Sequence, residues 1–174
     1  KPADFAAIES ALKDNPNVTF AHKRLKCGWG AWSLVQATLN AVEAAVAAFP
    51  RATHFYMLSG DCMAIKSAEY AHDFLDNEDV DYIESFDYFE SDQWWCLRRR
   101  TIEWILAFTK ARKDVMRFFR TTWIPDETFF QTLVRHLVPE NEIRTRTLTF
   151  LMFTDYGMPV TFYNDHYDLL LSQD

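Results

Sequence analysis

Apolar positions along the chain switch between helical spacing and short continuous runs. Phe5, Ile8 and Leu12 share one face of a helix that opens at Asp4 and runs over 4–13. The Asn15-Pro16-Asn17 turn is followed by an expected short strand, Val18 to Ala21. A basic stretch, Lys23 to Lys26, leads into a Cys27-Gly28-Trp29-Gly30 loop. Ser33 and Gln36 predict a capping box for a helix that reaches about Phe49, where Pro50 stops it. His54 to Ser59 is an apolar run of strand length ending in Gly60-Asp61-Cys62, and another helix begins near Ser67.

The second half continues the alternation. Strands are expected at Asp81–Asp87 and Trp94–Leu97, then a helix over 101–112 with Ile102, Ile105, Leu106 and Thr109 facing inward. A helical piece covers Val115–Phe119, and Pro125-Asp126 opens a helix through His136. Late strands are expected at Leu148–Phe153 and Val160–Tyr163, with Asp165 capping a final helix. Helices alternating with buried strands indicate an α/β fold with a mostly parallel sheet flanked by helices. Ligands on open α/β sheets sit outside the carboxyl ends of the strands. That rule points to Gly60-Asp61-Cys62, to Asp87 onward, and to the loop before Pro125.

Composition narrows the classes. A chain of 174 residues, 49% hydrophobic, encloses a core and is not disordered. No apolar run approaches the roughly 20 residues of a membrane helix, so no membrane association is visible. Only 4 glycines are present; Gly28-x-Gly30 is followed by Ser33 where a dinucleotide fingerprint needs glycine, and no glycine precedes a lysine. Three widely spaced cysteines, Cys27, Cys62 and Cys96, form neither a disulfide framework nor a C-x-x-C site. The net charge of −7 argues against nucleic acid. Yet residues 98–146 carry 11 Lys/Arg against 6 Asp/Glu, a basic middle suited to a nucleotide diphosphate or to ordinary helix surface.

Three blocks can carry chemistry. In Trp123-Ile124-Pro125-Asp126-Glu127, adjacent carboxylates at a helix start feel the macrodipole, which favours the ionised form. Asp126 can cap free amides, and Glu127 can take a proton from a sugar hydroxyl stacked on an aromatic face such as Trp123. An acidic first turn is the plainer reading. In Gly60-Asp61-Cys62-Met63-Ala64-Ile65-Lys66, Asp61 and Lys66 can touch a donor nucleotide, or Asp61 can simply bond the local backbone. In Trp94-Trp95-Cys96-Leu97-Arg98-Arg99-Arg100, one indole is expected in the core and the other on a sugar, with the arginines offering bidentate phosphate contacts or a solvated helix start. Asp79-Val80-Asp81 has the D-x-D form of metal-dependent sugar-nucleotide enzymes, but it lies in a stretch, 69–92, with 10 acids and no Lys/Arg. No metal ligand set is assigned. The histidines are scattered without an H-x-x-x-H pair, which disfavours a zinc hydrolase.

Taken in order, four blocks resemble the Core-2/I-branching β-1,6-N-acetylglucosaminyltransferase family, which includes peptide O-xylosyltransferases. They are Trp29-Gly30-Ala31-Trp32-Ser33-Leu34-Val35-Gln36-Ala37-Thr38-Leu39, His54 to Asp61 with Ile65-Lys66-Ser67, Trp94 to Arg99, and Pro125-Asp126-Glu127-Thr128-Phe129-Phe130-Gln131-Thr132-Leu133. The resemblance implies a GT-A-like fold and inverting, metal-independent transfer of GlcNAc or xylose from a UDP-sugar to a hydroxyl of a glycan or glycopeptide, with no cofactor beyond the co-substrate. It implies Glu127 as general base and Asp61 near a second family acid. Asp126, Trp29, Trp94, Trp95 and Trp123 are expected at the substrate, and Lys66, Arg98 and Arg99 at the nucleotide. Cys62, Met63 and Ala64 replace the residues that usually carry and follow the second acid. On this reading residues 1–174 are one incomplete domain, lacking the family's first strand and an internal acceptor segment. The competing reading is a non-catalytic carbohydrate- or nucleotide-binding remnant. The compartment is left open between cytoplasm or membrane periphery for a bacterial type and Golgi lumen for a eukaryotic one.

Overall fold

Mid-length helices and very short strands alternate in the computed structural model, which describes residues 2–84 and 94–173. The helices are α1 (Pro2–Leu12), α2 (Trp32–Ala48), α3 (Ala68–Asp76), α4 (Arg99–Ala111), α5 (Lys113–Phe119), α6 (Phe129–Leu137) and α7 (Tyr167–Leu171). The strands are β1 (His54–Tyr56), β2 (Asp81–Ile83), β3 (Trp95–Arg98) and β4 (Ile143–Arg144). They form a sheet in the order β1-β3-β2-β4. β2 runs antiparallel to β3, with Tyr82 opposite Cys96, and parallel to β4, with Asp81 opposite Ile143. The sheet is therefore small and mixed, and the expected parallel majority is not what these pairings show. A parallel partner needs a crossover of about a dozen residues or more, and the link from Ile83 to Trp95 is shorter than that.

The chain divides into two compact units, residues 1–55 with 98–138 and residues 56–97 with 139–174. In the first, α2 buries Val35, Leu39 and Val42 along one stripe. It packs on α4, whose Ile102, Ile105 and Thr109 are buried, and α4 packs on α6. Phe129 and Phe130 sit one after the other in α6 yet both are buried, Phe129 packing edge-on against Trp32 and Phe119. Each such large apolar side chain contributes about 1.5–3 kcal/mol of transfer free energy. In the second unit, Val80, Tyr82 and Cys96 form a core against Phe74, Leu75 and Leu148. Arg146 lies over both Phe74 and Tyr82, at 5.4 and 5.5 Å from their ring centres. Burial pushes the Cys96 thiol up to about 12, with the Asp81 charge a lesser contributor.

Several local expectations change. Residues 18–21 form no strand. Helix α2 begins at Trp32 with Ala31 as its uncapped N-cap; Ser33 lies inside, and its Oγ accepts instead from the Gly28 N–H at 3.2 Å. The strand after His54 ends at Tyr56, with one further backbone bond from the Met57 N–H to the Trp95 carbonyl, before the Ser59–Cys62 turn. Of the strand expected over 81–87, Asp81–Ile83 is present and 85–87 lie outside the described residues. Asp87 onward, as a candidate site, lies outside them too. Ser67 caps α3 as expected, accepting from the Tyr70 N–H. The late strands reduce to one antiparallel bridge, Phe153 with Pro159, around a turn in which Gly157 adopts φ +72°. The final helix is led by a 3-10 turn, Asn164–His166, tied by the Tyr163 N–H donating to His166 Nδ1 rather than by Asp165.

Candidate functional site

In the first unit, two loops meet at one contact. Gly30 has φ +61°, the left-handed region that favours glycine. A Cβ placed there would lie 3.3 Å from Ile124 Cγ1 and 3.9 Å from its Cα. Position 30 thus needs glycine twice over, for its backbone and for close approach. Ile124 is itself left-handed, φ 44° and ψ 61°, an unusual state for a β-branched residue that costs on the order of 1–3 kcal/mol. The fold holds it there because its side chain is buried.

This strained residue directs the next three. Pro125-Asp126-Glu127 forms a 3-10 turn, Pro125 filling the first position where its missing N–H costs nothing. The Glu127 N–H donates to Ile124 O and the Thr128 N–H to Pro125 O, both at 3.3 Å. The helix expected from Pro125 is therefore interrupted: Thr128 leaves the helical path and α6 starts at Phe129. Phe129 is 0% exposed and makes edge contacts with Trp32, Phe119 and Phe130 at ring-centre distances of 5.4, 5.2 and 5.2 Å. The acidic turn is thus held between a strained residue and a fully packed one.

Its two carboxylates differ. Asp126 is half-buried, and its Oδ1 is buried with no hydrogen-bond partner. It caps neither the turn nor α6, in contrast to the capping expected of it. Burial moves its carboxyl above the ordinary carboxylate range, the reverse of the macrodipole's expected effect. A turn of one winding has little dipole to offer against that desolvation. Glu127 is half-buried beside it. Flanking the turn, Trp123 is 81% exposed, and Trp29, adjoining the Gly30 contact, is 82% exposed. Trp29, Trp123, Asp126 and Glu127 are accordingly gathered on neighbouring loops of one unit.

The two arginines assigned to phosphate are used differently. Arg98 is 3% exposed, at the N-cap of α4. The Arg99 guanidinium donates to the carbonyls of Phe49 and Ala52 (Nε to Ala52 O at 2.7 Å), pairs with Glu103 and lies 5.2 Å over Phe55. These bonds satisfy the carbonyls that follow α2, so Arg99 is a structural tie and neither arginine is presented to a ligand here.

In the second unit, Ser59 organises the Asp61 turn. Its Oγ accepts from the Asp61 N–H at 3.2 Å and lies 3.4 Å from Cys62 Sγ, while the Cys62 N–H donates to Ser59 O. Asp61 is exposed, and Lys66 Nζ stands 5.3 Å over the Tyr70 ring. The Tyr56 hydroxyl, raised by burial, is 2.8 Å from Thr149 Oγ1, a bond that works the other way. Trp94 is half-buried, whereas Trp95 is 1% exposed in β3. Trp95 is therefore core rather than sugar platform, because all four β3 residues are buried. Asp81 is 0% exposed, so Asp79 and Asp81 are not presented together to solvent. Among the described residues no group of three or more His, Cys, Asp or Glu gathers as a metal cluster, and no helix is long and apolar enough to cross a membrane.

Ile124 and its contact with Gly30 were not anticipated from sequence. The signal available was indirect: a residue before proline avoids the right-handed helical region. A family model for the Core-2/I-Branching enzyme matches residues 1–92 and 83–167. No curated protein matches the chain.

Proposed function

The chain belongs to the Core-2/I-Branching enzyme family, whose activity is glycosyl transfer from a sugar donor to a glycan acceptor, and on that footing we propose inverting transfer from a UDP-sugar, GlcNAc or xylose, to an acceptor hydroxyl without a metal ion. The observation that carries this reading is the acidic turn held by Ile124 and Phe129 with two exposed indoles beside it. Glu127 acts as general base, removing the acceptor proton as the hydroxyl oxygen attacks the anomeric carbon and the bond to the diphosphate breaks. The sugar passes through an oxocarbenium-like state, as in glycoside hydrolysis. Trp29 and Trp123 offer apolar faces on which a sugar ring stacks. Asp126 stands next to the base in the same turn and is the proposed substrate contact beside it. Asp61 and Lys66 are the proposed contacts toward the donor, with Trp94 at the edge of the sugar.

The test is UDP release from UDP-GlcNAc and UDP-xylose with glycan and glycopeptide acceptors, with and without EDTA. Glu127→Gln abolishes release while leaving the circular dichroism spectrum and melting temperature unchanged. Full activity in that variant overturns the assignment, and loss of activity in EDTA overturns metal independence. The internal engagement of Arg98 and Arg99 favours a second reading, a binding remnant of the same fold. Calorimetry that detects UDP or glycan binding without turnover would select it.

A further inference from the structure

Away from the acidic turn, the first unit holds a groove of about 160 Å³ between α2, α4 and α5. Leu39, Leu106 and Met116 are its apolar lining residues. Four charged side chains line it: Glu43 from α2, Lys110 from α4, Lys113 from α5, and Arg120 just after α5. Three cations thus share the groove with one carboxylate, leaving an excess of two positive charges.

The cations are only partly committed. Lys110 pairs with Glu43 at 3.2 Å, but both side chains are well exposed, and such pairs contribute little against solvent. Lys113 Nζ donates to the Thr109 carbonyl at 3.1 Å, leaving two further N–H donors. Arg120 lies 5.9 Å from the Trp32 ring centre and has no carboxylate partner among the described residues, so its fork of N–H groups is available. On the α2 side, Gln36 Nε2 donates to Asn40 Oδ1 and Asn40 Nδ2 to the Lys23 carbonyl, which fixes both amides at the groove wall. A wall of amides opposite a rim of cations matches an oxyanion attached to a hydroxyl-bearing body.

We propose that this groove is a binding site for a small oxyanion carried by a sugar-sized ligand, a phosphate or a sugar carboxylate. The volume accommodates such a group and part of its carrier, at about 30 Å³ for each displaced water. The site is independent of transfer at Glu127: its ligand is read by binding alone, so failure of one assignment leaves the other standing.

The experiment is titration of the native chain at low salt with inorganic phosphate, glucuronate and neutral glucose, followed by amide chemical shifts and calorimetry. Phosphate or glucuronate is expected to shift residues 36–43 and 106–120, and glucose is not. The stronger of the two anions identifies the source of the oxyanion. The Lys110→Gln/Lys113→Gln double variant is expected to weaken binding several-fold and at most about 25-fold, up to about fivefold for each exposed cation. Glu43→Gln, which removes the competing carboxylate and frees Lys110, is expected to tighten it about threefold to fivefold. That gain cannot arise from misfolding. The proposal is overturned if neither anion binds, if glucose binds as well as glucuronate, or if the double variant binds like the native chain.

Discussion

Gly30→Ala isolates the contact that sets the acidic turn. Two separate costs follow from the structure. The first is conformational: an L-residue at φ +61° loses about 1–2 kcal/mol relative to glycine. The second is steric: the new Cβ meets Ile124 Cγ1 at 3.3 Å, a few tenths of an ångström too close, and the buried Ile124 has little room to yield. Adding up to about 1 kcal/mol for that crowding gives an expected loss of roughly 1–3 kcal/mol. Urea unfolding followed by tryptophan fluorescence measures it, since Trp29, Trp32 and Trp123 all lie near the contact. Two internal references calibrate the result. Gly60→Ala meets nothing within 4 Å, and Gly28→Ala meets only Ala31 Cβ at 3.7 Å, both without a positive φ. These are expected to be neutral or to stabilise by up to about 1 kcal/mol. If Gly30→Ala is as stable as Gly28→Ala, the clamp on Ile124 does not exist in solution.

Four further outcomes follow from the structure. Cys96 is buried with its thiol raised to about 12, so its contribution to stability is complete below the thiol's unfolded value near 8.5 and is lost as pH rises from there toward 12. The unfolded chain releases that proton first, giving a slope of up to about 1.4 kcal/mol per pH unit that Cys96→Ala removes in unfolding titrations. In native DTNB assays Cys27, which is exposed, reacts ahead of Cys96, which appears only on unfolding. Asp126→Asn removes a carboxyl whose charge burial disfavours, so at pH 7 it is expected to be neutral or stabilising by up to about 1 kcal/mol; the native chain gains that same stability as pH falls through the raised value. A loss above 1 kcal/mol would mean that Asp126 has partners in solution. Arg99→Met removes the guanidinium donors from the Phe49 and Ala52 carbonyls, of which Phe49 keeps the Ala52 N–H, and is expected to cost about 1–3 kcal/mol by denaturant unfolding, with UDP affinity unchanged. A large fall in UDP affinity at unaltered stability would return Arg99 to the phosphate.

Much of this molecule was determined by local sequence. Helical spacing in 101–112 put Ile102, Ile105 and Thr109 on the buried face, Ser67 capped α3, and Pro50 ended α2, because each depends on residues within a turn or two. The alternation of helix and strand, and the family resemblance carried by the blocks around Trp29, Asp61, Trp94 and Glu127, also came from sequence alone. What tertiary structure decided is of another kind. The sheet proved mixed because pairing joins residues far apart in the chain, and no local period encodes the partner's direction. Trp95 went to the core and Arg99 to the carbonyls after α2, although both looked fit for ligands, because neighbours brought by folding consumed their faces and donors. Ile124 took a left-handed backbone that isoleucine resists, since burial of its side chain close against Gly30 offsets the strain. The groove between α2, α4 and α5 has the same origin: its cations are scattered among ordinary helix-surface charges in the sequence, and only the packing of three helices turns them to face one space.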